Sequence, residues 1–562
     1  MIAAQIAGAI PDARGINLYR ADRDAAALFG FYLPRSLFAH LEPHFMRLGE
    51  LAGGRLDALA AVADRNPPTL RVRQRTGEDC SIIDKHPAYV EMERIAFGEF
   101  GLAALSHRGG VLGWPDPMPA AAKYALTYLF VQAEFGLCCP VSMTDSLTRT
   151  LKRYGDKALV ERFFGSLTAL DLDQLSQGAM FMTEQGAGSD VGATATRAEL
   201  QSDGTWRLYG DKWFCSNADA GLAMVLARSE EASGLKGISL FLLPKLRADG
   251  TANDFRILRL KDKLGTRSMA SGEIRLEGAE AYLVGERGRG FKQMADMINN
   301  SRLSNGVRAA GLMRRAVTES LFIACRREAF GRRLVELPLM RRQLVKMLVA
   351  AEQARSMVFL TANALTKADR GIAEATKLAR IMTPLVKFRA CRDARRVTGD
   401  AMEVRGGAGY IEEWADPRLV RDAHLGSIWE GTSNIVALDV LRAIARDDAL
   451  PALRGHLATL LGEAGLAPAA RVPFEAAVER ACALAERAAG ANDDTLARQA
   501  ASGLYHATTA VGLAREASGA KLPHRLALAE LVLQHRLLPR DPLAPAGDGA
   551  LIDSVLAAVL PV

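Results

Sequence analysis

Cysteine is sparse and scattered in this 562-residue chain. The seven present, Cys80, Cys138, Cys139, Cys215, Cys325, Cys391 and Cys482, show no CxxC spacing, which argues against zinc sites and against a disulfide framework. Long apolar runs are missing too, and no stretch approaches the length of a membrane span. The apolar start MIAAQIAGAI lacks a basic region and runs at once into Pro11, Asp12 and Arg14, so it is not expected to act as a secretory signal. The reducing cytoplasm is the expected compartment. Also absent are a GxGxxG after a strand, a phosphate-binding GxxxxGK[ST] loop, an HExxH pair and a GxSxG elbow. A Rossmann-type nicotinamide enzyme is therefore not expected.

What remains has the composition of a large soluble enzyme, with 49% apolar and 24% charged residues and length enough for three or four packed units. The net charge is +7, yet from Pro451 onward 10 basic side chains face 11 acidic ones. The positive excess therefore lies earlier, and the tail is not a basic arm. Two basic clusters stand out, Lys387, Arg389, Arg392, Arg395 and Arg396, and Arg326, Arg332, Arg333, Arg341 and Arg342.

Apolar spacing of helical period predicts helices from Leu37 to about Asp171, with a loop at Asn66-Pro67-Pro68. From Gly178 to about Gly285 short alternating or β-branched runs such as 206–209, 238–242 and 273–276 predict a β domain. Helical spacing returns after Gly290, clearest at Leu344, Met347, Leu348 and Ala351, and persists beyond Asp447. The expected domains are an N-terminal helical one over 1–175, a central β one over 176–288, a helical bundle over 289–446 and an additional helical one over 447–562.

Four segments carry the chemistry. Met182-Thr183-Glu184-Gln185-Gly186-Ala187-Gly188-Ser189-Asp190 sets glycines beside hydroxyl and acidic groups, in a turn whose backbone N–H groups can approach a ligand. Lys212-Trp213-Phe214-Cys215-Ser216-Asn217 places a ring two positions before a hydroxyl on one strand face, suited to stacking on a flat cofactor and bonding its edge. Arg327-Glu328-Ala329-Phe330-Gly331 offers a guanidinium to a phosphate. In the fourth, Arg421 to Asn434, a lone Glu430 follows Trp429 and precedes a helix start that Thr432 or Asn434 would cap. Taken singly, each also fits an ordinary loop, a half-buried strand or a solvated helix end.

Together, in this order and spacing, the four resemble the acyl-CoA dehydrogenase superfamily over roughly residues 87–446. Asn66-Pro67-Pro68, His86-Pro87, Leu137-Cys138-Cys139-Pro140 and the block after Arg446 are similar to its longer branch, which includes the alkylation-response protein AidB. The resemblance implies an α+β, mostly α, acyl-CoA dehydrogenase-like fold: an N-terminal helical domain, a central β-barrel domain and a C-terminal four-helix bundle, with an extra C-terminal helical domain. It implies FAD as cofactor. Met182, Thr183, Gly188 and Ser189 would hold the flavin and the thioester end of the substrate, with Asp190 structural. Phe214, where Trp is commoner, would lie against the isoalloxazine, with Cys215 beside it, the Ser216 hydroxyl near N5, and Asn217 next along the strand. Arg327 and Gln343 would reach the FAD pyrophosphate of a neighbouring subunit, received by a loop Met402-Glu403-Val404-Arg405-Gly406-Gly407 in which Gly406 and Gly407 allow close approach. Glu403 and Arg405 depart from the commoner Gln-x-x-Gly-Gly pattern. A shared site implies a homo-oligomer, typically a tetramer.

By the same resemblance Glu430 is the catalytic base, with Trp429, Gly431, Thr432 and Asn434 around it on the cofactor side. Relatives that carry their base on an earlier helix have it beside an arginine, where this chain has Ser301-Arg302 and no carboxylate. The implied reaction takes an acyl-CoA to the 2,3-enoyl-CoA by α-proton abstraction and β-hydride transfer to flavin N5, with electrons passing to an electron-transfer flavoprotein. The alternative is an AidB-like flavoprotein of the DNA alkylation-damage response, with weak dehydrogenase activity and DNA association. The basic clusters fit solvated helix faces or a surface for flavin phosphates as well as they fit DNA. An oxidase passing electrons to oxygen and a catalytically silent member complete the readings.

Overall fold

The computed structural model describes residues 10–491 and 493–561; all but the last residue of the apolar start discussed above lies outside them. Helices occupy most of the chain up to Leu167 and again from Gly290, with the main strands between Gly178 and Leu283. The order expected from periodicity is observed, and the fold is mostly helical. One expectation is corrected. The N-terminal stretch is not helical throughout, because after Asn66-Pro67-Pro68 a hairpin forms from β1 (Thr69–Arg73) and β2 (Asp79–Asp84), pairing Leu70 with Ile83. Its side chains are mostly exposed, and Arg71 reaches Asp84 across it at 2.7 Å.

The chain divides into two compact units. Among the described residues, one comprises 58–119 and 134–304; the other comprises 10–57, 120–133 and those from Asn305 onward. The first unit is built on β3 (Gly178–Phe181), β4 (Arg197–Leu200), β5 (Trp206–Ser216), β6 (Leu222–Arg228), β7 (Ile238–Pro244), β8 (Phe255–Leu260) and β9 (Ser271–Leu283). Five of these close a ring in which β4 pairs with β5, β5 with β9, β9 with β7, β7 with β6, and β6 with β4. β3 joins parallel to β6, and β8 joins antiparallel to β9. Closure removes sheet edges, and the ring fills with buried Phe181, Trp206, Leu208, Cys215, Phe241 and Ile274.

In the second unit Gly290–Ala324 (from Asn305), Pro338–Asp369, Ala373–Arg405 and Ser433–Asp447 form a bundle, with the shorter Ala415–Gly426 before the last. Leu344, Met347, Leu348 and Ala351 are buried, as their spacing predicts. Further helices follow as far as Gly549–Val559. Arginines help to fill this core, and Asp57, Arg315, Glu319, Arg405 and Asp416 form a chain of buried ion pairs at 3.2, 2.9, 2.7 and 2.5 Å in that order. Burial would raise the Asp57 carboxyl, but Arg315 and Arg418 override it and hold its pKa below the usual value. No helix among the described residues is long and apolar enough to cross a membrane, and none of the seven cysteines is in a disulfide among the described residues.

Candidate active site

In the barrel unit, the Met182–Asp190 loop leaves β3 and is pinned by a residue that sequence reasoning passed over. Glu184 is buried and accepts hydrogen bonds from the Ala195 N–H (2.7 Å), the Thr196 hydroxyl (2.6 Å) and the Lys212 ammonium (2.7 Å). Burial alone would raise its carboxyl pKa, but Lys212 and the hydroxyl and N–H donors hold it below the usual value. Burial in turn pulls Lys212 down. The Trp213 N–H donates to the Thr183 carbonyl at 2.8 Å, tying the loop to β5. Gly188 and Ser189 are exposed, and a side chain at Gly186 or Gly188 would meet nothing within 4 Å. The loop thus presents open backbone. Met182 and Thr183 lie half-buried at its start.

Phe214 is 56% exposed, and Ser216 lies half-buried two residues along the same strand. A register shift between Lys212 and Cys215 lets both of those side chains point inward although two residues separate them. Cys215 is fully buried in the barrel, and burial pushes its thiol pKa far up. That position therefore offers a cofactor only its backbone. Asn217 adopts φ +57° and donates to the Gln177 side chain at 3.1 Å and the Gly178 carbonyl at 3.2 Å, which fixes the end of β5 against β3. An outward aromatic ring, a hydroxyl on the same face and a glycine loop with free space fit a flat aromatic cofactor.

The bundle unit holds two groups. In the first, the Arg327 guanidinium donates to the Arg405 carbonyl at 2.7 Å, and Gln343 Nε2 donates to the Asp400 carbonyl at 3.2 Å. Gly406 follows at φ +74°, and Gly407 has open space where a side chain would be. The expected loop is mostly helix: Met402 to Arg405 form the last turn of Ala373–Arg405, and only Gly406–Tyr410 turn away. Arg405 departs from the usual pattern because it is a buried ion-pair residue.

The second group surrounds Glu430, which adopts φ +53° and precedes Gly431 at φ +100°. Left-handed backbone at a non-glycine residue costs of order 1–2 kcal/mol, so the surroundings must impose it. Three bundle side chains absent from the sequence reading as site residues do so. Buried Asn305 donates its amide to Glu430 Oε2, Arg308 stacks over the Trp429 ring at 4.6 Å, and Lys387 donates to the Gly431 carbonyl. Lys387 is buried, so it leaves the basic surface cluster to which its charge had assigned it. Thr432 occupies the N-cap of Ser433–Asp447, but its side chain makes no capping hydrogen bond; Asn434 lies inside the helix and is exposed.

The chain is similar to known proteins along most of its length. Residues 288–445 match the acyl-CoA dehydrogenase C-terminal domain, 179–279 its middle domain, and 9–174 the N-terminal domain of the adaptive response protein AidB. The putative acyl-CoA dehydrogenase AidB of Escherichia coli K12 is 34% identical over 397 residues, covering 69% of this chain and 71% of that protein. The chain belongs to the acyl-CoA dehydrogenase family. Another member, Caenorhabditis elegans acyl-CoA dehydrogenase family member 11, is 30% identical, covering 76% of this chain and 71% of that one. The crystal structure of Caenorhabditis elegans ACDH-11 in complex with C11-CoA superimposes with a TM-score of 0.88 at 26% identity, covering 96% of this chain and 95% of that one. The extra helices of this acyl-CoA dehydrogenase family member are thus part of a shared long-chain architecture, including its AidB-type N-terminal domain.

Proposed function

We propose that this oxidoreductase-family chain binds FAD and dehydrogenates an acyl-CoA thioester, with Glu430 removing the α-proton. The observation that carries the reading is the held carboxylate: Glu430 sits on a left-handed turn, its side chain gripped by Asn305 and its neighbours by Arg308 and Lys387. Such fixing sets the oxygen that receives the proton, and by resemblance the Glu430 N–H would serve as a donor for developing enolate charge. FAD, when bound, supplies a hydride acceptor at N5. On this reading Phe214 and Ser216 seat the ring, Met182, Thr183, Gly188 and Ser189 line the flavin and thioester, and Trp429, Gly431, Thr432 and Asn434 close the cofactor side. The C11-CoA held by the Caenorhabditis elegans relative supports the substrate class. Incubating the FAD-loaded protein with saturated acyl-CoAs of varied chain and branching, with electron-transfer flavoprotein as acceptor, is expected to yield enoyl-CoA. Product formed only with oxygen consumption would instead indicate an oxidase.

The reading includes a homo-oligomer, a tetramer by resemblance, in which Arg327, Gln343, Gly406 and Gly407 receive a neighbouring subunit's FAD. Exposed large apolar side chains lie three or four positions from Arg327, Gln343 and Gly407 in the sequence: Phe330 is 93%, Leu339 83% and Tyr410 79% exposed. On the proposed reading these three would join into one apolar interface patch. Phe330→Asp is expected to dissociate the assembly and lower the FAD content, read by light scattering and the visible spectrum. An unchanged oligomer would remove this surface from the interface.

A second reading is favoured by the AidB match over residues 9–174: a damage-response flavoprotein with weak dehydrogenase activity that associates with DNA. Product formation too slow for turnover, together with salt-dependent duplex binding, would select it.

A further inference from the structure

The helix Ala373–Arg405 carries Arg389, Arg392, Arg395 and Arg396 within two turns. Their spacing of three, four and seven residues puts 389, 392 and 396 on one face. With Asp393 and His424 these four arginines line a pocket of about 380 Å³, within the roughly 300–1,000 Å³ range of small-ligand sites. Asp393 is its one lining carboxylate, and both its oxygens are engaged by Arg389, at 2.7 and 2.9 Å. Arg396 Nε and Nη2 are buried and have no hydrogen-bond partner among the described residues. Partial burial, then Arg498, Arg389 and Arg395, pull Arg392 below the usual arginine value, and partial burial and Arg396 do the same to Arg536.

The four arginines here are half-buried or exposed, and several fully buried arginines of the same unit are held differently. Arg315, Arg355, Arg405 and Arg525 each reach a carboxylate at 2.5–2.9 Å. In the pocket the positive charge is concentrated without matching acids, an arrangement that pays only when an anion enters. Guanidinium forks select phosphate oxygens, and several converging in one recess select linked phosphates over a single one. We propose that this pocket is a binding site for a small polyphosphate anion, separate from the loop at Gly406–Gly407. Arg396 lies ten residues before Gly406, about 15 Å along the helix.

The test uses the full-length, FAD-loaded protein and inorganic tripolyphosphate, with pyrophosphate, monophosphate, ATP and sodium chloride of matched ionic strength as comparisons. Tripolyphosphate is expected to raise the melting temperature by several degrees with saturable one-site binding, monophosphate to bind at least tenfold more weakly (about 1.4 kcal/mol), and R392Q and R396Q each to remove the shift without loss of flavin absorbance. R392Q without anion should melt above the wild type, because a repulsive charge is gone. ATP equal to tripolyphosphate assigns recognition to phosphates alone, and tighter ATP assigns a nucleotide; both support the site. No shift beyond that of sodium chloride, a shift that survives both substitutions, loss of FAD from either variant, or binding of a short duplex DNA without tripolyphosphate binding would each overturn it.

Discussion

Glu430→Gln is expected to slow acyl-CoA-driven reduction of bound flavin by about 10²–10⁴-fold, the usual worth of a positioned general base. Glutamine keeps the shape and still offers an oxygen to the Asn305 amide, while Arg308 and Lys387 act on Trp429 and on the Gly431 carbonyl. Flavin content and thioester binding should therefore persist while the proton acceptor is gone. Stopped-flow reduction with the flavin spectrum recorded beforehand separates the two effects. An unchanged rate would place the base elsewhere, and a variant that emerges without flavin would make Glu430 a structural residue of the loop.

Arg405→Leu is expected to lower stability by about 3–5 kcal/mol, because it leaves buried carboxylates without their counter-ion. Arg405 is 1% exposed and joins Glu319 at 2.7 Å to Asp416 at 2.5 Å, at the end of the chain of pairs that runs back to Asp57. Burial already holds the Asp416 carboxyl above the usual aspartate value with Arg405 present. A carboxyl raised in the fold contributes stability below its unfolded value and loses it as pH rises through the folded one. Removing Arg405 raises Asp416 further, so the loss should be largest at neutral pH and smaller in mild acid. Urea unfolding at the two pH values measures both. Equal unfolding of variant and wild type at neutral pH would show that the carboxylates find other partners. Because the Arg405 carbonyl accepts from Arg327 at 2.7 Å, the variant should also loosen the Gly406–Gly407 turn.

Much of this was legible in the sequence, for identifiable reasons. The strand runs at 206–209, 238–242 and 273–276 lie in β5, β7 and β9 because their apolar residues line a closed barrel. The β1–β2 hairpin was not legible, since its largely exposed side chains give no apolar face to pattern. Lys212 faces the core together with Cys215 because a register shift lies between them, and such a shift leaves no mark in a linear pattern. The segment around Arg405 was expected to be a loop by resemblance, yet the buried pairing of Arg405 continues the helix up to Gly406 and Gly407. Asn305 and Lys387 lie 125 and 44 residues from their partners in the Glu430 loop. Lys387 was legible only as one charge of a basic cluster and Asn305 only as a polar side chain within a helix, and neither trace says what the side chain holds.

The central claim is that Glu430 and a bound flavin act on a thioester, and anaerobic mixing of the purified protein with a panel of short, long, branched and aromatic acyl-CoAs tests it most directly. The account predicts that at least one thioester bleaches the visible flavin absorbance and that Glu430→Gln abolishes the bleaching. A bound flavin that no thioester reduces would contradict it and move the weight to the AidB-like reading.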